Sequence, residues 1–294
     1  METSELIKKV RKIEIKTRGL SNHIFAGEYH SAFKGKGMTF SEVREYQFGD
    51  DIRNIDWNVT ARFNIPFVKI YEEERELTVM LLIDLSGSSN FGSKVMLKRE
   101  LITELAAVLS FSAIQNNDKI GVIIFTDKIE KFIPPKKGKQ HILRIIRELI
   151  DFEPENTKTN IGEALKFFNN TIKKRSTAFL ISDFMDLDYQ KKVFFFQDPL
   201  KIAGKKHDLI ALRVSDKLES VLPNAGLIQL YDNESAELRW IDSSSKKVRN
   251  EYFNARNSII QDLDMLFKKN GIDFADVYTH EDYVKPLMNL FKRR

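Results

Sequence analysis

The sequence predicts an α/β protein, a doubly wound and mostly parallel sheet with helices on both faces. Three observations carry that prediction. Short apolar runs recur along the chain, among them 77–84 (LTVMLLID), 121–125 (GVIIF), 177–182 (TAFLIS) and 208–214 (DLIALRV). Their consecutive positions are apolar, as strands covered on both faces require. Longer stretches with apolar residues at helical spacing separate them, so strands and helices alternate.

Each element follows in order. Residues 1–20 mix acidic and basic side chains with apolar positions at Leu6, Ile7, Val10, Ile13 and Ile15, which suits a short amphipathic helix or strand. Residues 21–76 are rich in glycine, aromatic and charged residues and show little periodicity. From Glu76 onward the alternation begins. The strand at 77–84 precedes a helix over 94–115, with Leu97, Leu101, Leu105, Val108 and Leu109 on one stripe. After the strand at 121–125, residues 128–133 (KIEKFI) alternate with period two, as an edge or hairpin strand does. Helices are expected over 142–149 and 161–172, then the strand at 177–182, a helix over 189–203 and the strand at 208–214. Two short strands, 227–231 and 237–241, flank an Asp-Asn turn and read as a small β-hairpin insertion. A long helix over 247–268, a strand at 274–278 and a helix over 283–291 complete the pattern. The expected division is an N-terminal segment over 1–75 and an α/β domain over 76–294.

Composition narrows the function classes. The 294 residues are 42% hydrophobic and 30% charged, with 47 Lys+Arg against 42 Asp+Glu, a net charge of +5 and a pI near 9.1. Such a balance is mild. The clusters Lys136-Lys137-Gly138-Lys139, Lys173 to Arg175 and Lys292-Arg293-Arg294 read as solvated faces, because no basic–aromatic module accompanies them. Nucleic acid is therefore not an expected partner. Cysteine is absent, which excludes disulfides, thiolate metal sites and cysteine nucleophiles and fits a reducing cytoplasm, the expected location. The charged N-terminus lacks the apolar core of a signal peptide, and no apolar run approaches the roughly 20 residues that span a bilayer. Membrane contact is expected only through partners.

The run at 77–84 ends abruptly in Asp84, followed by Ser86 and Ser88 at two-residue spacing. Ligands of open α/β sheets sit beyond the carboxyl ends of the strands. An aspartate and two hydroxyls there resemble half of a divalent-cation site, and oxygen-only donors suit Mg²⁺ or Mn²⁺ better than zinc. Asp183 ends 177–182 as Asp84 ends 77–84, and Thr159 lies just before a predicted helix, so both point toward the same rim. Each residue also has a plain structural role open to it: Asp84 in a turn, Ser86 or Ser88 as a cap, and Asn160 with Glu163 as a capping box.

The series Asp84-x-Ser86-x-Ser88, Thr159, Asp183 resembles the metal-ion-dependent adhesion site of von Willebrand factor A domains, over about residues 76–280. That resemblance implies binding without chemistry: a partner's Glu or Asp completes the shell of a bound cation. A second resemblance covers most of the chain. Arg44-Glu45-Tyr46, Gly49-Asp50-Asp51-x-Arg53-x-Ile55-Asp56-Trp57 and Ala61-Arg62, with Ile133-Pro134-Pro135-Lys136-Lys137-Gly138 and Ser182-Asp183-Phe184, resemble the prokaryotic family called domain of unknown function 58. Thr39 stands where an acidic residue is common in that family. The resemblance implies a partner, a MoxR-type AAA+ ATPase, and a role as adaptor or chaperone in protein maturation, complex assembly or stress tolerance. Arg44, Asp50, Asp51, Arg53, Asp56 and Arg62 are expected to form an ion-pair network, with Trp57 anchoring the segment on the domain. The same motif is alternatively a docking surface.

Enzyme readings fare less well. Ser86 stands where a haloacid-dehalogenase-type phosphatase has its second Asp, and the flanks of Ser86 are not the Gly-x-Ser-x-Gly of a hydrolase elbow. Five scattered histidines make no zinc motif. A metal-dependent hydrolase or nuclease built on Asp50, Asp51 and Asp56 is the alternative to a non-enzymatic, cation-dependent interaction module.

Overall fold

A computed structural model of the protein describes residues 39–72, 77–92, 96–191, 193–231 and 238–294. The expected element in residues 1–20 and the turn at 232–233 lie outside them. The chain divides into two compact units, with the boundary between Leu77 and Thr78.

In the first unit, β1 (Thr39–Glu45) pairs antiparallel with β2 (Phe67–Glu72), and a 3₁₀ turn over Ile52–Asn54 and α1 (Trp57–Phe63) lie between them. Low periodicity hid these elements in the sequence. They are short, and side-chain caps rather than an apolar stripe define them. The Asp51 carboxylate accepts from the Arg53 N–H and opens the 3₁₀ turn, while Asp56 accepts from the Asn58 and Val59 N–H groups and opens α1. Asp50 accepts from the Gln47 N–H and takes both guanidinium nitrogens of Arg44 at 2.8 Å. Gly49, at φ +108°, takes a backbone form open chiefly to glycine. The acids of this signature are thus engaged one by one instead of in the expected network: Asp50 with Arg44, Asp51 with the exposed Arg53, and Asp56 with Lys69. Trp57 is no buried anchor. It is 67% exposed, because α1 turns Val59 and Thr60 inward instead.

The second unit is built on a six-stranded sheet of β3 (Thr78–Asp84), β4 (Lys119–Phe125), β5 (Ile129–Lys136), β6 (Thr177–Ser182), β9 (Asp208–Ser215) and β12 (Asp273–Tyr278), in spatial order β12-β9-β6-β3-β4-β5. Every neighbouring pair is parallel except β4–β5, which forms an antiparallel edge. Counted within this sheet, the order is the doubly wound 3-2-1-4-5-6 type, and β3 and β6 flank its switch point.

Helices cover both faces. Met80 and Leu82 of β3 join a core with Ile161, Leu165 and Phe168 of α4 (Ile161–Thr171) and Leu200 of α5 (Gln197–Lys206). Phe267 of α7 (Lys246–Lys269) belongs to the same core. On the other face, α2 (Lys98–Gln115) packs beside α3 (Lys139–Asp151), and Phe179 of β6 meets Phe291 of α8 (Val284–Lys292) edge to face at 6.3 Å. The remaining helix, α6 (Lys217–Ser220), is a single turn after β9.

Two expected helices start later than periodicity placed them. α2 begins at Lys98, because Leu97 is extended (ψ 152°) and its N–H is capped by the Glu100 carboxylate. The helix expected over 189–203 begins only at Gln197; a small antiparallel ladder of β7 (Leu187–Asp188) and β8 (Val193–Phe194) takes the preceding residues. Phe194 and Phe196 are buried there against each other, a packing demand that overrides helical spacing. The expected hairpin is present as β10 (Leu227–Tyr231) and β11 (Leu238–Asp242), with Leu227, Tyr231, Leu238 and Trp240 exposed on one face.

At the edge, the ladder between β4 and β5 shifts register between Ile120 and Val122, opposite Pro134 and Pro135. Gly121 occupies the shift. A Cβ there would lie 2.8 Å from the Met80 sulfur, 2.9 Å from the Ile133 carbonyl oxygen and 2.9 Å from the Pro135 nitrogen. Two of these three atoms are backbone. Gly121→Ala is therefore expected to lower unfolding free energy by about 1–3 kcal/mol, read by urea denaturation; an unchanged midpoint would show that β5 yields freely.

His207, directly after α5, is buried with Nδ1 3.0 Å from the Ser176 hydroxyl and its ring 4.3 Å from that of Phe168. Burial, aided by Lys206 and Arg175, pushes its pKa down to about 4. The unfolded chain then takes the proton first, so His207 costs nothing above the ordinary value of about 6.5 and destabilises the fold as pH falls from there toward 4. In His207→Gln this contribution disappears: relative to wild type, the variant gains stability across that window. A pH-independent difference between the two would refute it.

Candidate functional site

The carboxyl ends of β3, β6 and β9 open on one rim, and the candidate residues gather at the β3–β6 switch point. Asp84 is the last residue of β3 and is buried. Its Oδ1 accepts from the Ser86 N–H at 3.0 Å, which closes the turn after the strand. Its Oδ2 accepts from the Ser182 hydroxyl, the last residue of β6, at 2.6 Å. That bond ties the two halves of the sheet at the crevice. Ser86 lies at the N-cap of a 3₁₀ turn over Gly87–Asn90, and its Oγ is 3.3 Å from that of Ser88.

Asp183 follows β6 and is also buried. Its Oδ1 accepts from the Met185 N–H at 3.2 Å, and its carboxylate is bonded by Ser88. Phe184, the next residue, has φ +61° and is fully buried against Phe267 at 5.2 Å. A left-handed conformation is costly for a bulky residue, and such outliers concentrate at functional sites. Here it turns the chain so that Asp183 faces the rim while Phe184 fills the core.

The 157–159 loop reaches this cluster by backbone. The Gly87 N–H donates to the Thr157 carbonyl at 2.7 Å, and the Asn160 N–H to that of Thr126 at 2.9 Å. Asn160 caps α4 by accepting from the Glu163 N–H at 3.0 Å. Thr159 stands half-buried between these points. Hydrogen bonds thus link Asp84, Ser86, Ser88 and Asp183 directly, while Thr159 belongs to the loop held beside them.

Sequence reasoning missed a third layer. Lys98, the first residue of α2, is 1% exposed, and its Nζ lies 2.7 Å from Asp183 Oδ2 and 2.7 Å from Glu219 Oε1. Glu219 sits in α6, where its other oxygen accepts from the Asp216 N–H at 2.9 Å. Arg256 of α7 stands 4.0 Å from Glu219. One signal was available: a lysine in the first turn of a helix opposes the positive end of the helix dipole, so it needs carboxylate partners nearby.

The electrostatics separate the two aspartates. Burial, with Asp183 nearby, pushes Asp84 up to about 6. Asp183 resists the same burial because the Lys98 ammonium beside it holds it down at about 2. Asp183 and Glu219 face the cations Lys98 and Arg256, whereas among the described residues no cationic side chain is paired with Asp84.

The donors fit a hard cation. All are oxygens, and the 3.3 Å between the serine hydroxyls is close to the about 3.0 Å edge of an octahedron with bonds near 2.1 Å. Among the described residues no three Asp, Glu, His or Cys side chains converge as a metal-ligand set, so such a cation would rest on the serine hydroxyls and Asp183. Asp84, with both oxygens already engaged by the chain, is placed to orient the serines.

Fold and site together define an α/β protein with an oxygen-donor cluster at the switch point of its sheet. The chain belongs to the DUF58 family: the model described as "Protein of unknown function DUF58" matches residues 42–259. Uncharacterized protein Rv1480 of Mycobacterium tuberculosis is 25% identical over 297 residues, spanning 100% of this chain and 91% of that one. Uncharacterized protein YeaD of Bacillus subtilis is 28% identical over 109 residues, 37% of this chain and 25% of that protein. Among solved structures, conserved hypothetical protein BatB from Bacteroides thetaiotaomicron is similar over 74% of this chain and 98% of its own, at 15% identity and a TM-score of 0.47. The SpRpn10 VWA domain is similar over 75% of this chain and 96% of its own, at 10% identity and a TM-score of 0.38. No described helix is long and apolar enough to cross a membrane.

The raised Asp84 predicts a specific acid response. The folded state takes up a proton near pH 6, before the unfolded chain does near 3.8, so this group adds stability as pH falls through that range. In chelator, Asp84→Asn removes the effect: wild type should gain on the variant between pH 6 and 4. A constant gap, measured by denaturation at each pH, would refute it.

Proposed function

We propose that this chain is a non-enzymatic, divalent-cation-dependent protein-interaction module that works in the cytoplasm. Ser86, Ser88 and Asp183, with Thr159 beside them and Asp84 orienting the serines, would hold Mg²⁺ or Mn²⁺ at the rim. The observation that carries this reading is the pair of serine hydroxyls 3.3 Å apart at the β3–β6 switch point, bonded to an aspartate from each strand end. A bound dication would supply positive charge for a carboxylate of a client or partner. The carboxylates of the cluster favour a cation. The DUF58 resemblance further suggests a MoxR-type AAA+ ATPase as partner, in protein maturation, complex assembly or stress tolerance.

The hydrolase or nuclease alternative would draw on Asp50, Asp51 and Asp56. Their carboxylates are each engaged by separate local partners, as caps and ion pairs, which argues for a structural use of that segment. A docking role for the segment is compatible with those caps, since Ile52, Trp57 and Phe63 are exposed beside them.

The test is capture of a co-expressed MoxR-type ATPase by tagged protein in Mg²⁺ and in EDTA, alongside a Ser86→Ala/Ser88→Ala double variant. We expect capture in Mg²⁺ to fall at least tenfold in EDTA and in the variant. Capture insensitive to both would move the docking surface away from the rim, and Mg²⁺-dependent nuclease activity abolished by Asp50→Asn would overturn the non-enzymatic reading.

A further inference from the structure

Lys98 is a charged side chain buried almost completely at a site that is expected to receive a cation. Its ammonium is equidistant, at 2.7 Å, from Asp183 and Glu219, two carboxylates carried by different segments. Asp183 faces the rim through Ser88, whereas Glu219 lies behind, in α6, and faces Arg256. The ammonium therefore has two anchors, only one of which adjoins the serine hydroxyls.

We propose that Lys98 is a resident counter-ion that competes with the divalent cation for Asp183. This inference rests on the cation-dependent reading above. With no cation, Lys98 satisfies Asp183 and keeps two buried carboxylates from facing each other uncompensated. With a cation on the serines, the ammonium is a like charge beside the same carboxylate and withdraws toward Glu219. The chain thereby weakens its own affinity for the ion and stays folded without it. Glu219 sets the balance, since it offers the ammonium an alternative partner at the same distance.

Mn²⁺ binding followed by the electron-paramagnetic-resonance signal of the free ion tests this, together with thermal melts in Mg²⁺ and EDTA. Removing a unit positive charge so near the site should tighten binding at least tenfold in Lys98→Met, with melting now raised by Mg²⁺ far more than in wild type. Glu219→Gln should act in the opposite direction and weaken binding, because Lys98 is left with Asp183 alone. If Lys98→Met is unfolded in EDTA but folds on adding Mn²⁺, the ion has replaced the ammonium and the proposal stands. If it stays unfolded in Mn²⁺, Glu219→Gln decides: affinity equal to wild type overturns the proposal. Equal affinity in wild type and both variants also overturns it, while leaving the cation site intact provided that Ser86→Ala/Ser88→Ala abolishes binding. Should neither wild type nor Lys98→Met bind millimolar Mn²⁺, both this inference and the site beneath it fall.

Discussion

The parallel pairing of β3 with β6 is the constraint on which the candidate site depends. It sets Ile83 beside Ile181 and so brings Asp84 to Ser182, residues 98 positions apart, close enough for one buried hydrogen bond. Every other feature of the rim is referenced to that bond. Asp84 orders the turn that presents the two serines, and Ser182 in turn accepts the Phe184 N–H at 3.0 Å, steering the chain that carries Asp183. A parallel sheet offers such a crevice only where the strand order reverses. Flanking strands cannot supply it.

The same crevice concentrates charge in a place where water is largely excluded. Burying an ion pair gains little net stability, whereas stripping one partner from it costs about 3–5 kcal/mol. The buried Asp183 and Lys98 are hence interdependent, and Glu219 gives the ammonium a second carboxylate. Under the proposed cation-dependent reading, such an arrangement would let the site persist with and without a bound ion. Arg213 shows the contrast. Buried in β9, it pairs with Asp264 of α7 and Asp276 of β12 and so cross-links three elements of the fold.

Much of this was legible from sequence because strands covered on both faces announce themselves. The runs ending at Asp84 and Ser182 could be placed, and position at a strand's carboxyl end then selected Asp84, Ser86, Ser88 and Asp183. Lys98 and Glu219 were not legible, because their meeting spans 121 positions and depends on the placement of α2 and α6. Nothing in a local pattern marks that encounter, beyond a lysine at an unfavourable helix position. The stretch before Gln197 was misread because phenylalanine packing, which is not periodic, outweighed helical spacing. The Gly49 to Trp57 signature was recognised as a motif yet expected as a network; its acids are caps, and caps are local, so they leave no long-range trace.

Edges determine how a sheet can meet other chains. On β5 the outer edge carries consecutive prolines, and neither can donate a hydrogen bond. A strand with proline in it offers an incoming strand an incomplete ladder. Strand addition, a common mode by which sheets recruit extended peptides, is thereby discouraged on that side. On this edge, backbone templating is thus disfavoured, which is compatible with the proposed recognition by side chains at the crevice.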